Sequence, residues 1–398
     1  MNKVEIREIV ERLEALLPIE RGPHVLHEPE LTAADKVAVA AAIDEGYVSA
    51  VGRQVVEFEQ ALAARCGAAH VVAAVNGTTA LHAALLALGI RPDDEVICPS
   101  LTFVATANSI SHCGAVPHFV DSDAETLGLD PDALAKRLSE VTIVRGGELR
   151  NKQTGRRIAA IVAVHVFGHP CQIAGLQAIA RDYGIPLIED AAESLGSKDR
   201  NGPLGGRGAA GVLSFNGNKI VTTGGGGAIL TNDATMAARV KHLTTTAKRA
   251  HDWQFFHDEI GFNYRMPNLN AALGLAQLAR LDDFVTRKRA LADIYINAFA
   301  DALYWRPLRE PDGSESNYWL NAVVLVRPDM ALLEDALQAL AARRIHCRPC
   351  WTPMHELPMY AAHPRGPLPV CNDLTRRILC LPSSPKLADM IALRTAAE

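Results

Sequence analysis

Between about residues 68 and 240, short apolar runs rich in β-branched residues alternate with longer stretches whose apolar residues recur at helical spacing. No other feature narrows the fold as much. A parallel strand is reached only through a crossover long enough to hold a helix, so this alternation points to an α/β fold with a mostly parallel sheet covered by helices. Val71–Val75, Glu95–Cys98, His118–Asp121, Ile158–Val166, Ile185–Ile188, Gly211–Phe215 and Ala228–Leu230 read as its seven strands. A helix is expected after Asn76-Gly77-Thr78-Thr79, with Leu81, Leu85 and Leu88 on one face and Gly89 as its stop. Another is expected over Ile173–Tyr183.

Residues 141–157 break the rhythm. The segment is polar, carries Gly146-Gly147 and ends in Thr154-Gly155, so it reads as a hairpin excursion. After Pro267 a long helical pattern runs through Leu273, Leu278, Leu281 and Phe284 towards a C-terminal α+β segment. The expected division is an N-terminal arm and large domain over residues 1–284, and a small C-terminal domain over residues 285–398.

With 398 residues, 48% of them hydrophobic, the chain can bury a core of that size. Its net charge of −5 is interspersed, with no basic stripe for nucleic acid and no polybasic run for a membrane surface. Residues 1–18 are amphipathic (Val4, Ile9, Leu13, Leu16, Leu17) and lack the apolar stretch of a signal peptide. The longest apolar runs, such as Ile158–Phe167, are strand-sized. The expectation is a soluble cytoplasmic protein. Eight scattered cysteines suit reduced thiols, and Cys347-Arg-Pro-Cys350 has no second ligand pair at zinc-like spacing, so no metal site is expected.

Several segments carry side chains suited to chemistry. The turn Asn76-Gly77-Thr78-Thr79 joins a strand to a helix start, where unpaired N–H groups and the helix dipole favour a phosphate. Taken alone, an ordinary capped helix explains that motif better. The apolar strand ending in Glu189-Asp190 is more pointed, because ligand crevices in open α/β sheets lie at the carboxyl ends of strands. A carboxylate there can hold a protonated ring nitrogen, the partner pyridoxal phosphate requires as an electron sink. A solvated acid after a strand is the alternative.

The run Ser214-Phe-Asn-Gly-Asn-Lys219, followed by Ile-Val-Thr-Thr and four glycines to Gly227, carries the strongest signal. A lysine in a largely desolvated pocket loses part of its preference for the charged form and can form a Schiff base. Glycines let backbone approach a ligand closely, and the Ser214 hydroxyl is within sequence reach of the same phosphate. A flexible loop bearing a surface lysine is the alternative; the spacing does not match a dinucleotide fingerprint. Phe103 follows a strand and is able to stack on an aromatic cofactor, although a lone Phe is more often core. His165 and His169, taken alone, read as structural. Together these segments supply a phosphate cradle, a ring acid, a stacking ring and an amine.

With these motifs in view, the sequence resembles the DegT/DnrJ/EryC1/StrS family of sugar aminotransferases. The resemblance extends from His27-Glu-Pro to Leu381-Pro-Ser-Ser and includes Gly46-Tyr-Val-Ser49, Phe58-Glu59, Asn76-Gly-Thr78, the segment Pro99–Thr106, the segment His165–Pro170, Glu189-Asp-Ala-Ala, Ser214–Lys219 and Gly261-Phe-Asn-Tyr-Arg-Met. It implies the aspartate aminotransferase (type I) fold and pyridoxal 5′-phosphate as cofactor. Lys219 becomes the Schiff-base lysine, Asp190 the partner of the pyridine nitrogen and Phe103 the stacking ring. Gly77, Thr78, Thr79 and Ser214 are implied to bind the phosphate. Asn263 or Arg265 is implied to reach the phosphate of the neighbouring subunit in a homodimer with shared active sites. Glu193 falls where many members have Gln or His near the cofactor's phenolic oxygen.

The wording is most similar to a branch that aminates C4 of a UDP-linked 4-keto-6-deoxy-N-acetylhexosamine for bacterial surface glycans, with glutamate as amino donor. Enzymes making perosamine on GDP share much of it, and 3-keto-sugar amination is a further alternative. The segment from Arg348 to His355 and Tyr47-Val-Ser49 are implied to shape the sugar and nucleotide pocket. Relatives that are dehydratases replace the lysine by histidine, so Lys219 argues against that chemistry. A non-enzymatic regulatory protein on the same fold is the rival from another class.

Overall fold

The computed structural model describes residues 3–395; Met1 and Asn2 of the expected arm and residues 396–398 of the expected small domain lie outside this range. Each of the seven runs read as strands supplies one strand of a single seven-stranded sheet. These are β1 (His70–Ala74), β2 (Glu95–Pro99), β3 (Val116–Val120), β4 (Ile158–Val164), β5 (Leu187–Asp190), β6 (Ala210–Ser214) and β7 (Gly227–Thr231). Their order is β1-β7-β6-β5-β4-β2-β3. Neighbours from β6 through β3 are parallel, and β7 runs antiparallel to both β6 and β1. Six strands therefore end at one edge of the sheet. All seven residues of the central β4 are buried, as expected where helices cover both faces.

The start of β5 differs from the sequence expectation. The N–H of Ile185 still bonds the Ala180 carbonyl at 3.0 Å, closing the helix Ile173–Tyr183 through left-handed Gly184. The strand starts after Pro186, so Glu189 and Asp190 lie within it. Adjacent strand residues face opposite ways. Asp190 faces the strand-end cavity, while Glu189 is clamped behind it. Its carboxylate accepts the N–H groups of Gly205 (3.0 Å), Arg207 (2.6 Å) and Gly208 (2.8 Å) and lies 3.1 Å from His165 Nε2. The Cys171 N–H donates to His165 Nδ1, so Nε2 carries the proton that Glu189 accepts.

Burial pulls the Glu189 carboxyl upward, but His165 and the backbone donors outweigh it and hold the group below the ordinary Glu range. Glu189→Gln is expected to cost about 3 kcal/mol or more at neutral pH, because amide hydrogens would face donors in a buried site. Denaturant unfolding of the two proteins measures this. A depressed carboxylate stabilises above its unfolded pKa and loses that contribution as pH falls through the folded value. The gap between wild type and variant therefore narrows on acidification.

The 141–157 excursion is a hairpin, with Thr142–Arg145 antiparallel to Glu148–Asn151. Buried Glu95 ties it to the sheet, lying 2.9 Å from Asn151 Nδ2 and 2.8 Å from His118 Nδ1. The helical pattern after Pro267 divides into two helices, Asn268–Leu278 and Leu281–Ala298. The break falls at Arg280, whose guanidinium reaches the Glu30 carbonyl at 2.8 Å and the Asp35 carboxylate at 2.9 Å.

Four short strands form the C-terminal sheet: β8 (Trp305–Pro307), β9 (Asn321–Leu325), β10 (Arg348–Pro349) and β11 (Ile378–Leu381), in the order β8-β9-β11-β10. Its core also takes in the N-terminal helix Val4–Leu16: Ile6, Ile9, Val10 and Leu13 pack with Leu291, Phe299, Trp305 and Leu333. The first helix in the sequence thus shares the core built by the end of the chain. Within Leu281–Ala298, Phe284 packs with Phe58 and Phe215 of the large core, and Leu291 with the small one. We propose the domain boundary near residue 285 on this division. Among the described residues, no helix is long and apolar enough to cross a membrane.

Candidate active site

The carboxyl ends of the parallel strands converge on a cavity of about 620 Å³ between the large sheet and the C-terminal domain. Gly77, Thr78, Phe103, Asp190, Glu193, Ser214 and Lys219 all line it, although they come from four separate segments. Pockets of this size hold cofactors and small ligands.

After β1 the chain turns into the helix Gly77–Ala87. Asn76 caps it, its side chain accepting the Thr79 N–H at 2.8 Å. The N–H groups of Gly77 and Thr78 are left without acceptors in the helix and face the cavity with the positive end of the helix dipole. Ser214, the last residue of β6, stands opposite, and a Cβ at position 77 would lie 3.0 Å from Ser214 Cβ. Glycine at 77 keeps this cradle open. A Cβ at Gly227 would lie 2.6 Å from the Gly77 nitrogen, so this glycine makes room for the turn. The close approach it permits is between two backbones, and none of the four glycines lines the cavity.

Asp190 closes the other end. One carboxylate oxygen accepts the Thr106 hydroxyl at 2.8 Å, and Thr106 is 2.8 Å from the Thr102 hydroxyl. Burial pushes the Asp190 carboxyl above its ordinary range. Lys219 Nζ lies 3.2 Å from the Glu193 carboxylate and 3.6 Å from the centre of the Trp319 ring. The second Glu193 oxygen accepts the Phe167 N–H at 2.8 Å. Burial also raises the Glu193 carboxyl, and the Lys219 amine works against that shift. Trp319 is itself fixed, its indole N–H donating to the Asn218 carbonyl at 2.7 Å.

The remaining candidates are placed differently. The N–H and hydroxyl of Thr79 are both used within the cap, the hydroxyl donating to the Asn76 carbonyl at 3.0 Å. Arg265 is buried against Glu59 (2.7 Å) and donates to the Ala73 carbonyl (3.1 Å), bracing the edge strand β1. Asn263 is exposed, away from this chain's cavity. Phe103 is at the mouth, 52% exposed and 6.3 Å from the ring of Trp351. His165 serves Glu189, and His169 is buried with neither ring nitrogen bonded. Trp319 and Thr106 escaped sequence reasoning as site residues. Trp319 carries no local signal, and Thr106 closes the Pro99–Thr106 motif without one that assigns it a role; only the spatial meeting with Lys219 and Asp190 reveals what they do.

The donor set fits pyridoxal phosphate. The cradle of free N–H groups facing Ser214 matches a phosphate, buried Asp190 a pyridine nitrogen, and Lys219 a carbonyl carbon. Fold and site together define a pyridoxal-phosphate-dependent aminotransferase. The chain belongs to the DegT/DnrJ/EryC1/StrS aminotransferase family, whose model it matches over residues 29–394. It is 36% identical over 367 residues to a GDP-perosamine synthase of Escherichia coli O157:H7, covering 92% of this chain and 94% of that one. A GDP-perosamine synthase of Caulobacter vibrioides is 37% identical over 336 residues, covering 84% of this chain and 85% of the relative. The crystal structure of a family aminotransferase from Brucella abortus superposes with a TM-score of 0.79 at 31% identity, covering 91% of this chain and 95% of that one.

Proposed function

We propose that this aminotransferase transfers an amino group from glutamate to a 4-keto-6-deoxy sugar carried on a nucleoside diphosphate. The observation that carries the reading is the position of Lys219, held between Glu193 and Trp319 with Asp190 in the same cavity. Bound pyridoxal phosphate supplies an electron sink for the carbon that bears the amine. Asp190 holds the proton on the ring nitrogen, and Thr106 keeps its carboxylate aimed. Gly77, Thr78 and Ser214 anchor the phosphate. The Lys219 amine would move a proton at the substrate carbon. Glu193 accepts a hydrogen bond from the lysine and fixes its amine at the reacting carbon.

Two of the relatives are named for GDP-perosamine, which favours GDP over UDP as the carrier. A homodimer with shared sites fits the exposed apolar side chains Val37, Ile43, Tyr47 and Val51, and the tip of the loop bearing Trp253, Phe255 and Ile260. In this reading Asn263 serves the neighbouring subunit, since Arg265 is committed to Glu59. The product belongs to surface-glycan synthesis in the cytoplasm.

The test incubates the cofactor-loaded enzyme and glutamate with GDP- and UDP-linked 4-keto-6-deoxy sugars and follows the sugar by mass spectrometry. An aminated sugar is expected, formed faster on GDP. Formation of 2-oxoglutarate with some other acceptor, and no aminated nucleotide sugar, would reject the substrate class.

A further inference from the structure

The cavity that must accept two substrates in turn is acidic at its floor, where Asp190 and Glu193 are buried side by side. Both substrates of the proposed reaction, on which this inference rests, are anions. Glutamate carries a distal carboxylate, and the sugar carries a diphosphate. Each anionic group lies a few bonds from the carbon that reacts, so each needs a cation away from Lys219.

Among the described residues, two of those lining the cavity are cationic, Lys219 and Arg348. Lys219 is occupied with the chemistry. Arg348 is exposed at the mouth, and among the described residues its guanidinium forms no ion pair, donating to the Cys347 carbonyl at 3.2 Å. This sets it apart from Arg157, Arg207, Arg265 and Arg289, each of which holds an acid at 2.7 Å or closer. Its backbone is fixed, because β10 pairs with β11 and brings Arg348 opposite Cys380, another cavity residue. Trp351 packs on Phe167 at 5.1 Å and builds an apolar wall beside it.

We propose that Arg348 is the specificity residue for both half-reactions: it binds the distal carboxylate of the donor, then the diphosphate of the acceptor. A guanidinium presents a planar fork that matches carboxylate and phosphate oxygens alike. One group can therefore serve two unlike substrates that never occupy the cavity together. A lysine would serve them unequally, as a point charge suited to the diphosphate more than to bidentate carboxylate binding.

Calorimetric titration of the cofactor-loaded enzyme with glutarate and, separately, with GDP tests this without turnover. Arg348→Gln is expected to weaken both ligands about 10- to 100-fold, the range of a lost charge-assisted hydrogen-bond pair. Arg348→Lys should recover GDP binding more than glutarate binding. Unchanged visible absorbance of the bound cofactor shows that each variant is folded. Wild-type affinity of Arg348→Gln for either probe overturns the proposal. If the wild type itself binds neither probe and aminates no nucleotide sugar, the substrate reading falls with it. If the wild type binds both and Arg348→Gln binds them equally, the shared anion site alone is wrong.

Discussion

Lys219→Ala is expected to abolish covalent attachment of the cofactor and to lower turnover by at least about 10³-fold, since in the proposed mechanism one residue supplies both the attachment point and the proton-moving base. Borohydride treatment followed by peptide mass spectrometry gives the direct readout. The wild type should carry the cofactor on the Lys219 peptide, and the variant on no peptide. Lys219→Arg separates charge from chemistry: it keeps a cation near Glu193 and Trp319 but offers no amine of comparable reactivity, so it should be as inactive as alanine. A variant retaining turnover within tenfold of wild type, with tenfold corresponding to about 1.4 kcal/mol in the barrier, would remove Lys219 from its role. Losing Lys219 also leaves Glu193 buried without its amine. Burial already raises this carboxyl. A raised carboxyl contributes most below its unfolded pKa and loses that contribution as pH rises, so the alanine variant should fall further behind wild type above neutrality than at pH 5.

Asp190→Asn is expected to lower turnover by about 10²-fold or more, because an amide cannot hold a proton on the ring nitrogen as a carboxylate does. The effect on the cofactor-free protein should run the other way. Asp190 is buried, with Thr106 and the Ala192 N–H as its donors, and burial raises its carboxyl. In the cofactor-free state the ionised form is a net burden at neutral pH. The variant should therefore melt no lower than wild type at pH 7 to 8, and any advantage should vanish as acid protonates Asp190. Thermal melts of both cofactor-free proteins from about pH 5 to pH 8, beside steady-state rates of the loaded enzymes, check both halves. A variant that melts lower and keeps its rate would make Asp190 a structural residue.

Much of the large sheet was open to reading because buried parallel strands are continuous apolar runs, and Ile158–Val164 is one. Strand limits were less open. Ile185 looks like strand, yet its N–H closes the preceding helix. The Glu189-Asp190 pair looked like two acids at one strand end, and pleating sends them to different tasks. The site candidates divide in the same way. Gly77, Ser214 and Lys219 announce themselves through local motifs. Arg265 sits in an equally recognisable motif, but Glu59, 206 residues away in sequence, claims its side chain.

What the amino-acid order determined alone is what depends on neighbours in the chain: the alternation of strands and helices, the capped turn at Asn76, the hairpin after Val141 and the lysine segment after β6. Tertiary structure decided whatever depends on distant parts of the chain meeting. Trp319 reaches Lys219 from the loop that leads into β9, its indole on the Asn218 carbonyl 101 residues away. Thr106 finds Asp190 across 84 residues, and the first helix joins the core of the last segment. Hydrophobic burial is non-directional, so sequence pattern says that a face will be covered and leaves open by what. Only the packed chain chooses the partner.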